Sequence, residues 1–289
     1  MKVFRLYLMQ ARPKHWLKNV FILVPIAYAR HMLVWPSLLL VAQCFAAFCL
    51  ISSAVYTFND ILDADMDRLH PTKCRRPIAS GKITKKAGAV YSALLFLAGF
   101  SLTVIGQKEY MVALFAAVYA LINVAYSLWL KHVAVADCFC IAAGFVLRIY
   151  AGGAQSGDAI SEWLLLTMTA ISLFMAFGKR RGEMMQLAAQ AAEPAASRRV
   201  LESYHVDLLH GIVYMCAGLS VVFYALWSMD SGSRMVYTVP LVIFIVCKYL
   251  QVLHSGANHG DPASVILGNK ALMASAAVFA LLTVALLYL

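Results

Sequence analysis

Asn59-Asp60-Ile61-Leu62-Asp63-Ala64-Asp65-Met66-Asp67-Arg68 closes a long apolar run, and His70-Pro71-Thr72-Lys73-Cys74-Arg75-Arg76-Pro77 follows it. Only 13% of the chain is charged, so four acids and, with His70, five bases in so short a stretch need a reason. On a helix Asp60, Asp63 and Asp67 (i, i+3, i+7) share one face, with Asn59 beside them. Three carboxylates on one stripe repel each other unless a divalent cation sits among them. Hard oxygen ligands suit Mg²⁺, which binds through a few carboxylates plus substrate phosphates. Asp63 and Asp67 are the expected metal ligands, with Asp60 and Asn59 assisting. Lys73, Arg75 and Arg76 in the basic loop are the expected phosphate contacts. A solvated, charged helix end is the alternative. The motif's position beside a membrane span favours the metal–diphosphate reading.

The rest of the chain says what carries this motif. It is 62% hydrophobic, with long uncharged stretches, which predicts an all-α polytopic membrane protein. A hydrocarbon core of ~30 Å needs about 20 apolar residues per helix. Nine segments qualify: 17–34, 37–58, 88–105, 111–129, 133–153, 162–178, 208–228, 235–253 and 270–288. Residues 1–289 are expected to form one membrane domain. Residues 1–16 would form a short interfacial helix, with Phe4, Tyr7, Leu8 and Ala11 on one face and Lys2, Arg5 and Arg12 off it. Segments 59–87 and 179–206 would be loops on one side of the membrane.

Charge orients the chain. With the N-terminus in the cytoplasm, all but four of the 24 bases fall on that side. Arg30, Lys108 and Arg234 lie opposite, and Arg148 lies inside a span. The positive-inside rule therefore predicts a multi-pass protein of the inner (cell) membrane with the acidic motif facing the cytoplasm. The net charge of +10 is read as this topology signal, not as a nucleic-acid footprint. The seven cysteines lack C-x-x-C spacing, and free thiols are expected.

Further polar residues mark the spans. Lys18 and Asn19 stand at the entry of the first and can reach inward. Tyr126 and Lys131 close the fourth and are candidates for lining a headgroup site. In the fifth, Asp137, Gly144 and Arg148 share a helical stripe. An arginine so deep must face the bundle interior or a wet cavity, as a structural partner or as a holder of phosphate. The sixth ends in Gly178-Lys179-Arg180-Arg181-Gly182-Glu183. The eight histidines show no metal-ligand spacing.

These blocks resemble the UbiA superfamily of intramembrane prenyltransferases, nine-helix bundles with an Asn-Asp-x-x-Asp-x-x-x-Asp motif ending the second span. More narrowly, the chain resembles the polyprenyl-phosphate phosphoribosyltransferase branch. The resemblance runs from about residue 10 to 183 and rests on seven blocks. These are Arg12-Pro13 with Trp16 to Asn19, Asn59 to Gly81, Tyr126-Ser127 with Leu130-Lys131, Asp137, Gly144 to Arg148, Ala151 to Gly153, and Gly178 to Arg180. Cys74 stands where that branch commonly has a base, and Asn269 where an acid is common. Aromatic prenyltransferases carry a second aspartate-rich motif at the end of the sixth span, where this chain has three bases and one acid. That patch suits phosphate oxygens, not a second divalent ion.

The resemblance implies a Mg²⁺-dependent transferase of lipid-linked sugar or cell-wall biosynthesis. It would move 5-phosphoribose from phosphoribosyl diphosphate to a polyprenyl phosphate and release diphosphate. Lys179 and Arg180 would complete a phosphate clamp, and Lys18 and Arg148 would hold the lipid phosphate. Homo-oligomerisation is left open. The alternative is transfer of an isoprenyl chain from its diphosphate to an aromatic acceptor. A channel or transporter is disfavoured, because no paired broken helices or pore-lining charges are visible.

Overall fold

A computed structural model describes residues 2–70, 72–105, 110–190, 199–230, 234–255, 265, 266 and 268–288. Pro71, Lys108, Arg198 and the helix-stopping segments 106–109, 231–233 and 256–261 lie outside the described residues. The chain resolves into two compact units, Met1–Ile160 and Ser161–Leu289. No strand occurs among the described residues, and all seven cysteines are free.

The first unit contains α1 (Lys2–Ala11), a 3₁₀ helix (Pro13–Leu23), α2 (Val24–Tyr28), α3 (Trp35–Leu62) and α4 (Ala64–Leu69). α5 (Lys85–Leu102), α6 (Met111–Leu128) and α7 (Ala136–Ser156) follow. The second unit contains α8 (Glu162–Gln190), α9 (Val206–Asp230), α10 (Val239–His254) and α11 (Lys270–Tyr288). Seven stretches among the described residues are long and apolar enough to cross a membrane: α3, α6, α7, α8, α9, α10 with its leading turn, and α11. The chain is thus a multi-pass membrane protein. The predicted third segment is realised as α5, eighteen residues that open on two lysines.

The first predicted span is different. Residues 17–34 do not form one α-helix; the 3₁₀ helix hands over to α2, which ends at a turn where Arg30 has φ 62°. Pro13 and Pro25 each remove a backbone donor, and Pro25 sits at the junction of the two helices. The geometry offsets the missing turns. Eleven 3₁₀ residues rise about 2.0 Å each and five α residues about 1.5 Å, together roughly 30 Å.

The 3₁₀ helix also aligns residues three apart, so Trp16, Asn19 and Ile22 share one edge. Trp16 Nε1 donates to Ser53 Oγ (2.9 Å) and Asn19 Nδ2 to Cys49 Sγ (3.2 Å), both on α3. Ile22 meets Gly152 of α7, where an added Cβ would stand 2.1 Å from the Ile22 carbonyl oxygen. Glycine at 152 is what allows this approach. Ile22 and Ile26 then join Val41, Phe48, Ile51 and Tyr119 in the unit's main core.

Gly152→Ala is accordingly expected to cost about 2 kcal/mol, because backbone and not a flexible side chain must move. Gly211→Ala on α9 meets nothing within 4 Å and should cost nothing. Thermal denaturation of the two variants in the same detergent checks this.

α8 runs unbroken for 29 residues, so Lys179, Arg180 and Glu183 lie on a helix and not in a loop as expected from residue 179 onward. The part of the expected 179–206 loop that includes Pro194 lies outside the described residues.

Candidate active site

The acidic motif spans a bend. α3 ends at Leu62, Asp63 (φ −88°, ψ 0°) caps α4, and the hydrogen bonds Asp63 N–Asn59 O (2.9 Å) and Asp67 N–Asp63 O (2.8 Å) carry the helical path across. Asp60 and Asp67 therefore stay on one side. Arg76 Nη1 donates to both, at 3.1 Å to Asp60 Oδ1 and 2.6 Å to Asp67 Oδ2. Both carboxylates are buried, at 2% and 5% exposure. Asp63 faces another partner: Lys131 Nζ lies 2.6 Å from its Oδ1, and Asn59 Nδ2 donates to its Oδ2 at 2.9 Å. Asp65 is turned away to Arg68 (3.0 Å) and Lys85 (2.8 Å), and the Lys85 ammonium bonded to it holds its carboxyl below the usual range.

The supporting chain is shaped to bring these bases in. Arg68 Nε donates to Ala79 O (3.1 Å), and Ile78 and Ile83 pack with Ala64 against Ile61 and Ala87, fixing the basic loop under α4. Lys131 sits on a short 3₁₀ turn, Leu130–His132. Between it and α7, Val135 adopts φ 68°, ψ −51°, closed by Ala136 N–Ala134 O at 2.8 Å. That is a strained γ-turn on a β-branched residue, of the kind that clusters at functional sites.

Two contributors were not foreseen. Gln10 Nε2 donates to Asp60 Oδ2 at 2.8 Å, and the Arg12 guanidinium pairs with Asp60 Oδ1. Arg12 has φ 55°, a left-handed conformation between α1 and Pro13, which turns its side chain back onto α3. α1 meanwhile exposes Val3, Phe4 and Leu8 and buries Gln10. Of the expected apolar face, Phe4 and Leu8 point outward, whereas Ala11 is buried and Tyr7 packs against the Ala64–Ile78–Ile83 cluster. In sequence Arg12 was marked only by its place before Pro13 in the first block of the resemblance, without a role in the site.

Arg148 belongs to a separate network. It is 4% exposed; Nε donates to Asn19 Oδ1 (2.7 Å), Nη1 to Gly144 O (2.6 Å) and Nη2 to Tyr119 Oη (2.9 Å), with its Cζ 4.6 Å from the Tyr119 ring centroid. All three guanidinium nitrogens are engaged, so the structure ties Arg148 and Asn19 to each other and not to the acidic cluster. Asp137 is fully buried in the first turn of α7, where an acid complements the helix dipole. Lys18, Lys73 and Tyr126 are half-buried, and Arg75 is exposed. In the second unit Arg180, 1% exposed, pairs with Glu183 (2.6 Å), while Lys179 is half-buried.

Among the described residues no three Asp, Glu, His or Cys side chains stand together as a self-sufficient metal site. The oxygens present nevertheless fit a hard cation. Asn59 Nδ2 must face Asp63, which leaves Asn59 Oδ1 buried with no hydrogen-bond partner. A buried oxygen without a donor is uncommon and needs an explanation. With the Asp63 carboxylate bonded to the same side chain, a bound Mg²⁺ would supply one.

Comparison with known proteins gives the family and the fold. The UbiA prenyltransferase family model matches residues 20–269. Decaprenyl-phosphate phosphoribosyltransferase of Mycolicibacterium smegmatis is 34% identical, covering 90% of this chain and 86% of that protein. Its counterpart from Mycobacterium tuberculosis is 35% identical, covering 90% and 87%. In fold, the chain is similar to a UbiA homolog from Archaeoglobus fulgidus bound to DMAPP and Mg²⁺, with TM-score 0.73, 16% identity and coverage of 98% and 97%. The chain belongs to the UbiA prenyltransferase family.

Proposed function

We propose that this chain transfers 5-phosphoribose from phosphoribosyl diphosphate to a polyprenyl phosphate in the membrane and releases diphosphate. The observation that carries the reading is the end of the sixth predicted span. Its only acid, Glu183, is held by Arg180 at 2.6 Å, so the segment offers no second metal site, and Lys179 with Arg180 is read as its phosphate contact. The two phosphoribosyltransferase relatives support it, being similar over most of their length.

Asn59, Asp63 and Asp67 would hold Mg²⁺, which supplies charge neutralisation at the departing diphosphate. Arg12, Arg76 and Lys131, now paired with Asp60, Asp67 and Asp63, are the cations best able to turn to the donor's phosphates, with Lys73 and Arg75 beside them in sequence. The C1–O bond to diphosphate breaks as a lipid phosphate oxygen bonds to C1. That oxygen is already anionic near neutral pH, so no general base is required. Catalysis is then positioning and electrostatic stabilisation of positive charge developing at C1. Since Arg148 is engaged with Asn19 and Tyr119, Lys18 is our candidate for the lipid phosphate.

The charge asymmetry supports an inner-membrane location with segments 62–87 and 179–206 in the cytoplasm. Cysteine-accessibility labelling should find both there and the C-terminus opposite.

Equilibrium binding tests the donor assignment. Phosphoribosyl diphosphate should bind in the presence of Mg²⁺, and Lys179→Ala should weaken it roughly ten- to a hundredfold, the loss of one charge-assisted phosphate contact. Tight binding of an isoprenyl diphosphate, with none of the sugar donor, would overturn the reading in favour of isoprenyl transfer.

A further inference from the structure

The second unit gathers a polar cluster that the reaction above does not use. Arg181 of α8 is 5% exposed; its Nη1 donates to the Leu253 carbonyl at 2.9 Å, and its Nε is buried with no hydrogen-bond partner. The next residue, His254, closes α10. Its Nδ1 lies 2.8 Å from the Leu250 carbonyl, which can only accept, so Nδ1 carries the proton. Nε2 therefore accepts from Tyr214 Oη at 2.9 Å. The Tyr214 and His254 rings stack, with centroids 5.9 Å apart and planes at 5°. His210, in the opening turns of α9, sits 5.7 Å from the His254 ring, and its Nε2 is also buried without a partner. Arg181 lies within electrostatic reach of both His210 and Tyr214.

Two buried nitrogens of this cluster thus have no partner, one of them on a guanidinium. Among the described residues no carboxylate forms an ion pair with Arg181, whereas its neighbour Arg180 has Glu183. A water would satisfy the two nitrogens but leave the buried charge uncompensated. An anion does both. With Nη1 committed to Leu253, the free edge of the guanidinium is Nε with Nη2, the fork that matches two oxygens of a phosphate.

The setting points to the source. His254 closes α10 and His210 lies in the opening turns of α9, where α9 exposes Leu208 (50%), Tyr214 (49%) and Met215 (57%). Exposed apolar and aromatic side chains beside a basic pocket are what a lipid headgroup meets at the membrane–water boundary.

We propose that Arg181 and His210, walled by the Tyr214–His254 stack, form a phosphate site for an anionic membrane lipid. The site belongs wholly to the second unit and does not depend on the identity of the transferred group.

Native mass spectrometry of the full chain in detergent, titrated with phosphatidylglycerol or phosphatidylcholine, tests this. The wild-type protein should retain one phosphatidylglycerol about tenfold more tightly than Arg181→Gln, a loss of about 1.4 kcal/mol. Phosphatidylcholine should be held more weakly than phosphatidylglycerol. His210→Gln should lose affinity several-fold; it leaves the Arg181–Leu253 bond in place and carries the test by itself if Arg181→Gln does not fold. Lys248→Gln, elsewhere on α10, should bind like the parent. Displacement of the lipid by millimolar inorganic phosphate would support the phosphate chemistry and overturn the lipid source. Equal retention by the parent, Arg181→Gln and His210→Gln would overturn the site altogether.

Discussion

Asp67→Asn and Asp63→Asn are each expected to lower turnover at least a hundredfold while the protein still folds, and Asp65→Asn is expected to stay within a few-fold of the parent. The two sensitive changes keep side-chain volume and remove a carboxylate charge, at Asp63 from the partner of Asn59 and at Asp67 from the buried partner of Arg76. Loss of preorganised charge stabilisation at a reacting centre typically costs 10²–10³ in rate. Asp65 is in the same stretch of sequence but is exposed and satisfied by Arg68 and Lys85. Steady-state rates at saturating Mg²⁺, with thermal denaturation as the folding control, distinguish the three. Equal losses at 63, 65 and 67 would mean that the motif acts as a diffuse charge patch and not as a ligand set.

Arg148→Met is expected to act on stability. It leaves Asn19 Oδ1 and Tyr119 Oη buried without their donor, and each orphaned group costs about 1–3 kcal/mol, so the fold should lose roughly 2–5 kcal/mol. Arg148→Lys should rescue little, because an ammonium on a flexible stem cannot reach three fixed acceptors in the plane of a guanidinium. Melting temperature in detergent should fall clearly for both variants. If Arg148 instead held the lipid phosphate, Arg148→Met would melt like the parent and show a raised KM for the acceptor alone.

The two arginines show what sequence reading could and could not reach. The i, i+3, i+7 spacing placed Asp60, Asp63 and Asp67 on one face; a single nitrogen of Arg76 touches Asp60 and Asp67, whereas the bend turns Asp63 to Lys131 instead. Hydropathy likewise located α3, α6, α7 and the four helices of the second unit to within a few residues at most ends. It failed at the first span because hydropathy averages over residues and cannot see rise per residue. Residues 13–23 adopt 3₁₀ geometry, whose period of three aligns Trp16, Asn19 and Ile22.

Arg12 escaped for a related reason. Its role depends on a left-handed φ that spacing arguments do not carry, and at an N-terminal interfacial helix it read as one more topology charge. Arg148 was legible as a buried cation needing company, but its partners come from the 3₁₀ helix and α6, far apart in sequence. His210 and His254 escaped because their neighbourhood is assembled from three helices, and no local spacing joins them.

The central claim is phosphoribosyl transfer to a lipid phosphate, and a single transfer assay bears on it most directly. Purified full-length protein would be incubated with phosphoribosyl diphosphate labelled in the ribose, a polyprenyl phosphate and Mg²⁺, and the organic phase analysed by mass spectrometry. The account predicts label in a polyprenyl-phosphoryl 5-phosphoribose, one diphosphate released per product, and no product with chelator or with Asp67→Asn. No lipid-borne label, together with prenylation of an aromatic acid from an isoprenyl diphosphate, would contradict it.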